Sequence, residues 1–153
     1  TTRLGNASDN ITINREKEIL EALIKDGHNY AIVEKETDIL IGNISLFNIN
    51  NIHRIAEIGL FIGTSEMRGK GFGPEAMKLL IEYGFKILNL NNIMLNVKEF
   101  NENAMKAYEK IGFKEFGRRT ECYFTNGKYY DVIHMEILSR NFESNFLNEL
   151  LPM

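Results

Sequence analysis

The chain has 153 residues, 44% of them hydrophobic and 25% charged, which is the size and balance of one globular domain able to bury a core of its own. A formal net charge of −3 gives no electrostatic reason to expect nucleic acid or an anionic membrane surface. One cysteine, Cys122, excludes an internal disulfide, and His28, His53 and His134 form no cluster with zinc spacing, so a reducing, cytoplasmic setting and no metal are the expectation. No run approaches the about 18 apolar residues of a membrane span, and TTRLGNASDN lacks a signal-peptide pattern.

In chain order, NREKEILEALIKDG carries Ile19, Leu20, Leu23 and Ile24 at helical spacing, with Gly27 placed to end a helix. YAIVE and ILIGNISLF then read as two strands of a hairpin around KETD, NINNIHR as a loop, and IAEIGLFI as the next strand. A helix over 74–88 follows, with Pro74 at its first position and Glu75, Lys78, Glu82 and Lys86 on a solvated face. NIMLNV is a strand, and NENAMKAYEKIGF a short helix closed by Gly112. From Lys114 to Leu138 the pattern is a hairpin about TNGK, since Asn-Gly favours the tight hairpin turn. The tail from Ser139 looks helical, with Phe142, Phe146 and Leu150 spaced by four. There is no repeat, linker or low-complexity tract, so residues 1–153 read as a single domain.

IAEIGLFI, the helix after it and NIMLNV make a β-α-β unit, with two parallel strands and the glycine loop RGKGFG at the C-terminal end of the first. Such a loop cradles anions, because the first N–H groups of a helix have no internal acceptor and the helix dipole favours negative charge. The phosphate loop with Gly-Lys-Ser/Thr spelling is absent. A dinucleotide fingerprint fits weakly and stays a minor alternative, with a purely structural β-α-β domain: starting from Gly69 and Gly71, its third glycine position is Pro74, and Glu99 comes late for the ribose acid.

The spelling that fits is Arg68-x-x-Gly71-x-Gly73, followed one strand later by Asn101, Asn103, Tyr108, Gly112 and Phe113 in NENAMKAYEKIGF. Those two motifs, in that order around a β-α-β unit, resemble the GNAT superfamily of acetyl-CoA-dependent N-acetyltransferases. The resemblance runs from about Asn10 to Phe142, and within the superfamily is to the branch of ribosomal-protein N-terminal and spermidine acetyltransferases. It implies an α/β (α+β) GNAT fold: a mixed central sheet with a β-α-β acetyl-CoA-binding unit and flanking helices, missing the family-typical first strand and helix at the N-terminus.

The same resemblance implies an enzyme that moves acetyl from acetyl-CoA to a primary amine by direct transfer. Arg68, Gly69, Lys70, Gly71, Phe72 and Gly73 would hold the pyrophosphate, and the backbone of Leu60, Phe61 and Ile62 the pantetheine arm. Asn101 and Asn103 compete as helix cap and are the family's candidates for a CoA or active-site water contact. Tyr108 is the implied general acid, and Glu57 the best-placed base, ahead of His53 and Glu121. The acceptor is a protein N-terminus or a small amine. NINNIHRIAEIG resembles the corresponding stretch of spermidine acetyltransferases, so a polyamine acceptor is an alternative, although the neutral Ser45 and Asn48 stand where those enzymes have acidic residues. A non-catalytic acyl-CoA-binding module is the second alternative, and a homo-oligomer is compatible with all three.

Overall fold

The computed structural model describes residues 28–34, 36–63 and 71–143. The expected helix within 14–26, the loop residues Arg68, Gly69 and Lys70, and the tail positions Phe146 and Leu150 lie outside them. Among the described residues six strands form one sheet: β1 (Asn29–Val33), β2 (Leu40–Asn50), β3 (Ile55–Ile62), β4 (Asn92–Lys98), β5 (Lys114–Thr125) and β6 (Lys128–Leu138), in the spatial order β1-β2-β3-β4-β6-β5. Helix α1 (Phe72–Lys86) connects β3 to β4, and α2 (Glu102–Ile111) connects β4 to β5. Among these described strands only β3 and β4 pair in parallel, and the other neighbours are antiparallel. The sheet is therefore the mixed one expected.

Local chemistry accounts for most of these elements. Asn126 and Gly127, both at positive φ (51° and 74°), form the tight turn between β5 and β6 that the Asn-Gly pair favours. Asn101 caps α2, its side-chain oxygen accepting from the Ala104 N–H at 3.4 Å, and Gly112 ends the helix at φ 125°. Alternation along β2, β3, β4 and β6 sends Ile44, Leu46, Ile58, Ile93, Leu95 and Met135 to one face, where all are buried. Helix α1 lies on that face: a side chain at Gly84 would meet Leu46 and Ile93, and one at Gly73 would meet Leu60. The opposite face carries Ser45, Phe47, Glu57, Gly59, Met94 and Asn96, a far more polar set.

Four expectations need correction. Strand β2 runs to Asn50, so NIN is strand and only residues 51–54 form the turn; a bulge after Phe47 keeps the pairing going. Helix α1 begins at Phe72, two residues before Pro74, which occupies the third position. A proline is still accommodated there, because the first four N–H groups of a helix have no intrahelical acceptor. Glu82 is not solvated but fully buried, its carboxylate joined to the Lys86 ammonium one turn on at 2.6 Å. After β6, the described chain makes a single 3-10 turn at Ser139–Asn141, and Phe142 packs edge-on against Phe85 with ring centroids 5.7 Å apart.

Candidate active site

The parallel pair gives the site its shape. β3 and β4 are matched over three residues only, Ile55 with Asn92, Ala56 with Ile93 and Glu57 with Met94. Past that point Ile58–Ile62 and Leu95–Lys98 have no partners in each other, although each strand stays paired on its far side, β3 with β2 and β4 with β6. The sheet is thus split at the C-terminal ends of its two parallel strands, where ligands of α/β sheets commonly sit. The chain leaves β3 for the glycine loop and leaves β4 for the start of α2, so both motifs open from this same end.

Register tells which backbone groups face the split. The Gly63 N–H donates to the Ile41 carbonyl at 2.7 Å, and these residues stand opposite each other in the β2–β3 register. Hydrogen-bonded pairs alternate along an antiparallel ladder, so Phe61, Gly59 and Glu57 also spend their backbone groups on β2. Ile58, Leu60 and Ile62 turn theirs toward β4 and the split. Of the three residues expected to pair with a pantetheine arm, Leu60 and Ile62 direct their backbone groups to that side, and Phe61 directs its own toward β2.

At the mouth, Gly71 precedes α1 at φ 84°, with no side-chain hydrogen bond capping the helix and nothing within 4 Å of where a Cβ would stand. The first helical bond is Glu75 N–H to the Gly71 carbonyl, at 3.2 Å. Phe72 and Gly73 therefore present N–H groups that the helix itself does not use. Gly73 has a separate role, since a Cβ there would lie 3.0 Å from Leu60 Cδ2, so its lack of a side chain lets the first turn of α1 settle onto β3. A left-handed glycine, uncapped amides and a close helix–strand approach at the end of a split sheet fit a pyrophosphate followed by an extended arm.

Tyr108 lies six residues into α2, packed against the core and edge-on to Phe113 with ring centroids 6.1 Å apart. Burial raises the pKa of its phenol above the ordinary tyrosine value, so the ring stays protonated throughout the neutral range. Glu57 stands at the last matched pair of the parallel strands, half-buried, on the polar face. Its Oε2 accepts a hydrogen bond from Asn48 Nδ2. Beside it, the Phe47 ring edge would lie 3.2 Å from a Cβ on Gly59, so ring and backbone wall this corner. Asn101 is the cap of α2, whereas Asn103, exposed in the first turn, caps nothing. His53 is exposed in the turn between β2 and β3, and Glu121 sits exposed at a bulge of β5, at φ 49°.

Sequence reasoning missed two features. Arg118 bridges Glu99 at 3.0 Å and Asp131 at 2.9 Å, and Glu99 Oε1 also accepts the Asp131 N–H at 2.8 Å. This ties the exit of β4 to the hairpin β5–β6. The other is the Asn48–Glu57 contact, which depends on the bulge in β2. Its available signal was an asparagine at a position that strict alternation from Ile44 and Leu46 would bury.

The profile of the family described as "Acetyltransferase (GNAT) domain" matches residues 4–114, more than half of the chain. The chain belongs to this family. A spermidine N(1)-acetyltransferase of Vibrio cholerae is 42% identical over 117 residues, covering 76% of this chain and 65% of the relative. One from Escherichia coli K12 is 39% identical over 101 residues, covering 66% of this chain and 54% of the relative. Those matches span less than two thirds of each relative's own length. Among solved structures, spermidine N-acetyltransferase from Vibrio cholerae in complex with CoA and spermine superposes with a TM-score of 0.75 at 36% identity, over 85% of this chain and 77% of that one. As a family member the chain has the GNAT fold.

Proposed function

We propose that this chain is an N-acetyltransferase that moves an acetyl group from acetyl-CoA to a primary amine of a small cationic acceptor, by direct transfer with both substrates bound. The observation that carries the reading is the split between β3 and β4 directly beyond Glu57. Family membership supports the chemistry, and the solved relative described with CoA and spermine supports the pairing of substrates. Two relatives are named spermidine N(1)-acetyltransferases, which makes spermidine the first acceptor to test.

Bound acetyl-CoA supplies an activated thioester carbonyl; the remaining work falls to the chain. In this reading Gly71, Phe72 and Gly73, with Arg68, Gly69 and Lys70 before them, take the pyrophosphate, and the backbone of Leu60 holds the arm. A backbone N–H of β3 polarises the thioester oxygen and stabilises the negative charge that develops there. Glu57 takes a proton from the amine, directly or through water, so that the nitrogen can form the new C–N bond. As the C–S bond breaks, Tyr108 gives its proton to the departing sulfur. A phenol with an ordinary value near 10, raised further by burial, is a weaker acid than a thiol near 8.5, so this transfer succeeds only when coupled to departure of the thiolate. Position therefore matters more than acidity for Tyr108.

Calorimetric titration with acetyl-CoA and with NAD, followed by thiol release in the presence of spermidine and then other primary amines, tests the proposal. Acetyl-CoA binding with amine-dependent thiol release is the expected result. Binding without release for any primary amine would reduce the chain to an acyl-CoA-binding module, and binding of NAD alone would overturn the reading of the loop.

A further inference from the structure

Residue 48 stands at the point where the pairing of the long central strand β2 with β3 becomes irregular. Along β2, Ile44 and Leu46 are buried on the core face, and strict alternation would send residue 48 there as well. An asparagine amide in that position would lose its hydrogen bonds to water without replacement. The bulge prevents this. Phe47 stands opposite Glu57 and Asn50 opposite Ile55, so residues 48 and 49 together face the single residue Ala56. Asn48 takes a left-handed conformation, φ 50°, which asparagine tolerates far better than a β-branched residue would. Ile49 then packs against the core, and the Asn48 amide turns to the polar face and meets the Glu57 carboxylate.

Resting on the acetyltransferase reading above, we propose that Asn48 is the positioning residue for Glu57. Its Nδ2 holds Oε2 and leaves Oε1, which no described residue engages, to accept the proton of the incoming amine. The choice of an amide has a physical consequence. A lysine or arginine at residue 48 would stabilise the carboxylate as an anion and make it a poorer base, and an acid would share its proton. A neutral donor fixes direction with the least change in charge.

Other charged groups on this face are farther off. Glu136 of β6 lies across β4, opposite Met94, roughly 9–10 Å away by strand spacing, with its Oε2 held by Asn92 at 2.8 Å. His134 stands one pair along and is hydrogen-bonded to Asn96, and Lys114 of β5 is paired in register with Glu136. Lys98 sits four residues beyond Met94, with its Nζ 5.2 Å from the centre of the Tyr123 ring. On β2 the neighbours Ser45 and Phe47 carry no charge.

The test compares Asn48→Gly, which accepts the left-handed backbone but removes the amide, with Asn48→Asp and Glu57→Gln. In nitrogen-15 NMR, the Asn48 side-chain amide hydrogens of the parent carry the downfield shift of a bond to a carboxylate, and Glu57→Gln reduces that shift. Asn48→Asp, which sets a second acid against Glu57 in place of the neutral donor, lowers kcat at least as much as Asn48→Gly does. An Asn48 amide signal identical in the parent and in Glu57→Gln overturns the inference, whatever the acceptor is. With acetyl-CoA and spermidine, kcat of Asn48→Gly falls about 10-fold with acetyl-CoA affinity kept, the loss expected for one charge-assisted hydrogen bond. Full turnover in Asn48→Gly beside an impaired Glu57→Gln removes Asn48 alone from the mechanism. Full turnover in Glu57→Gln removes the base, and the inference with it.

Discussion

Strand β4 has two edges that behave differently. Along the edge facing β6, all seven residues from Asn92 to Lys98 are matched in register, and Glu99 extends the contact through its N–H to the Asp131 carbonyl. On the edge facing β3 only three residues are matched. The same residues thus support a complete ladder on one side and leave it unfinished on the other, so weak strand propensity cannot explain the gap. What differs is the restraint: β3 is held by β2, β4 by β6 and the Arg118 bridges, and the two parallel strands are drawn apart beyond Glu57. The opening is maintained by the completeness of the ladders beside it.

If the split is where the reaction occurs, the largest effect should come from the group assigned to the leaving thiolate. Tyr108→Phe is expected to lower kcat by about 10- to 1,000-fold while acetyl-CoA affinity, measured calorimetrically, stays nearly the same. Equal turnover would remove Tyr108 from the mechanism. The same substitution has an alkaline signature that needs no substrate. The folded-state pKa is raised, so the unfolded chain gives up this proton near pH 10 while the folded protein still keeps it. Stability therefore declines as pH rises from there through the folded value, and denaturant titrations of Tyr108→Phe should show a shallower decline.

The next effect is expected on the closed side. A Cβ on Gly42 would stand 2.0 Å from the Phe61 carbonyl oxygen, a backbone atom that cannot move without disturbing the β2–β3 ladder. Gly42→Ala should cost about 1–3 kcal/mol in urea unfolding, the range for overpacking at a site that cannot relax. An unchanged midpoint would show that β3 is held by something other than close approach to β2.

Legibility in the sequence follows the same division. Features fixed by a few adjacent residues were readable: the Asn-Gly turn, Asn101 and Gly112 bounding α2, and the β-α-β unit around the glycine loop. Features that depend on distant segments were not. A helical wheel groups Glu82 with Glu75, Lys78 and Lys86, yet Glu82 is buried, because the wheel contains no information about what else packs on α1. Likewise, NINNIHR reads as a loop because asparagines disfavour strands, and only pairing with β3 carries β2 through the bulge to Asn50. Family motifs located Tyr108 and the loop. The direction of the Leu60 backbone came only from the register.

At the mouth, substitution should separate binding from stability. Gly71→Val and Gly71→Asn both put atoms where a phosphate would approach, and each should weaken acetyl-CoA binding by about 10-fold, the size of one lost hydrogen bond to a charged group. Valine also has to adopt φ 84°, which costs roughly 1–2 kcal/mol, whereas asparagine tolerates that region. Weakened binding in both variants with a lowered melting temperature only in the valine form is the expected pattern. Unaltered affinity in the asparagine form would make the loop a connector.

The smallest effect should come from the restraint on β4. Arg118 is half-exposed and joins Glu99 to Asp131, so Arg118→Ala removes two solvent-screened ion pairs and should cost no more than about 1 kcal/mol of stability. Its value lies in where the loss is felt. The bridges fasten the end of β4, and the start of α2 follows within three residues, so hydrogen exchange should quicken at Glu99 and Asn101 before it changes at Ile93 or Leu95 in the middle of the ladder. Exchange rising evenly along β4 would mean that the strand responds as one unit. The ladder to β6 alone would then hold the split open, and the Arg118 bridges would be surface pairs with no part in it.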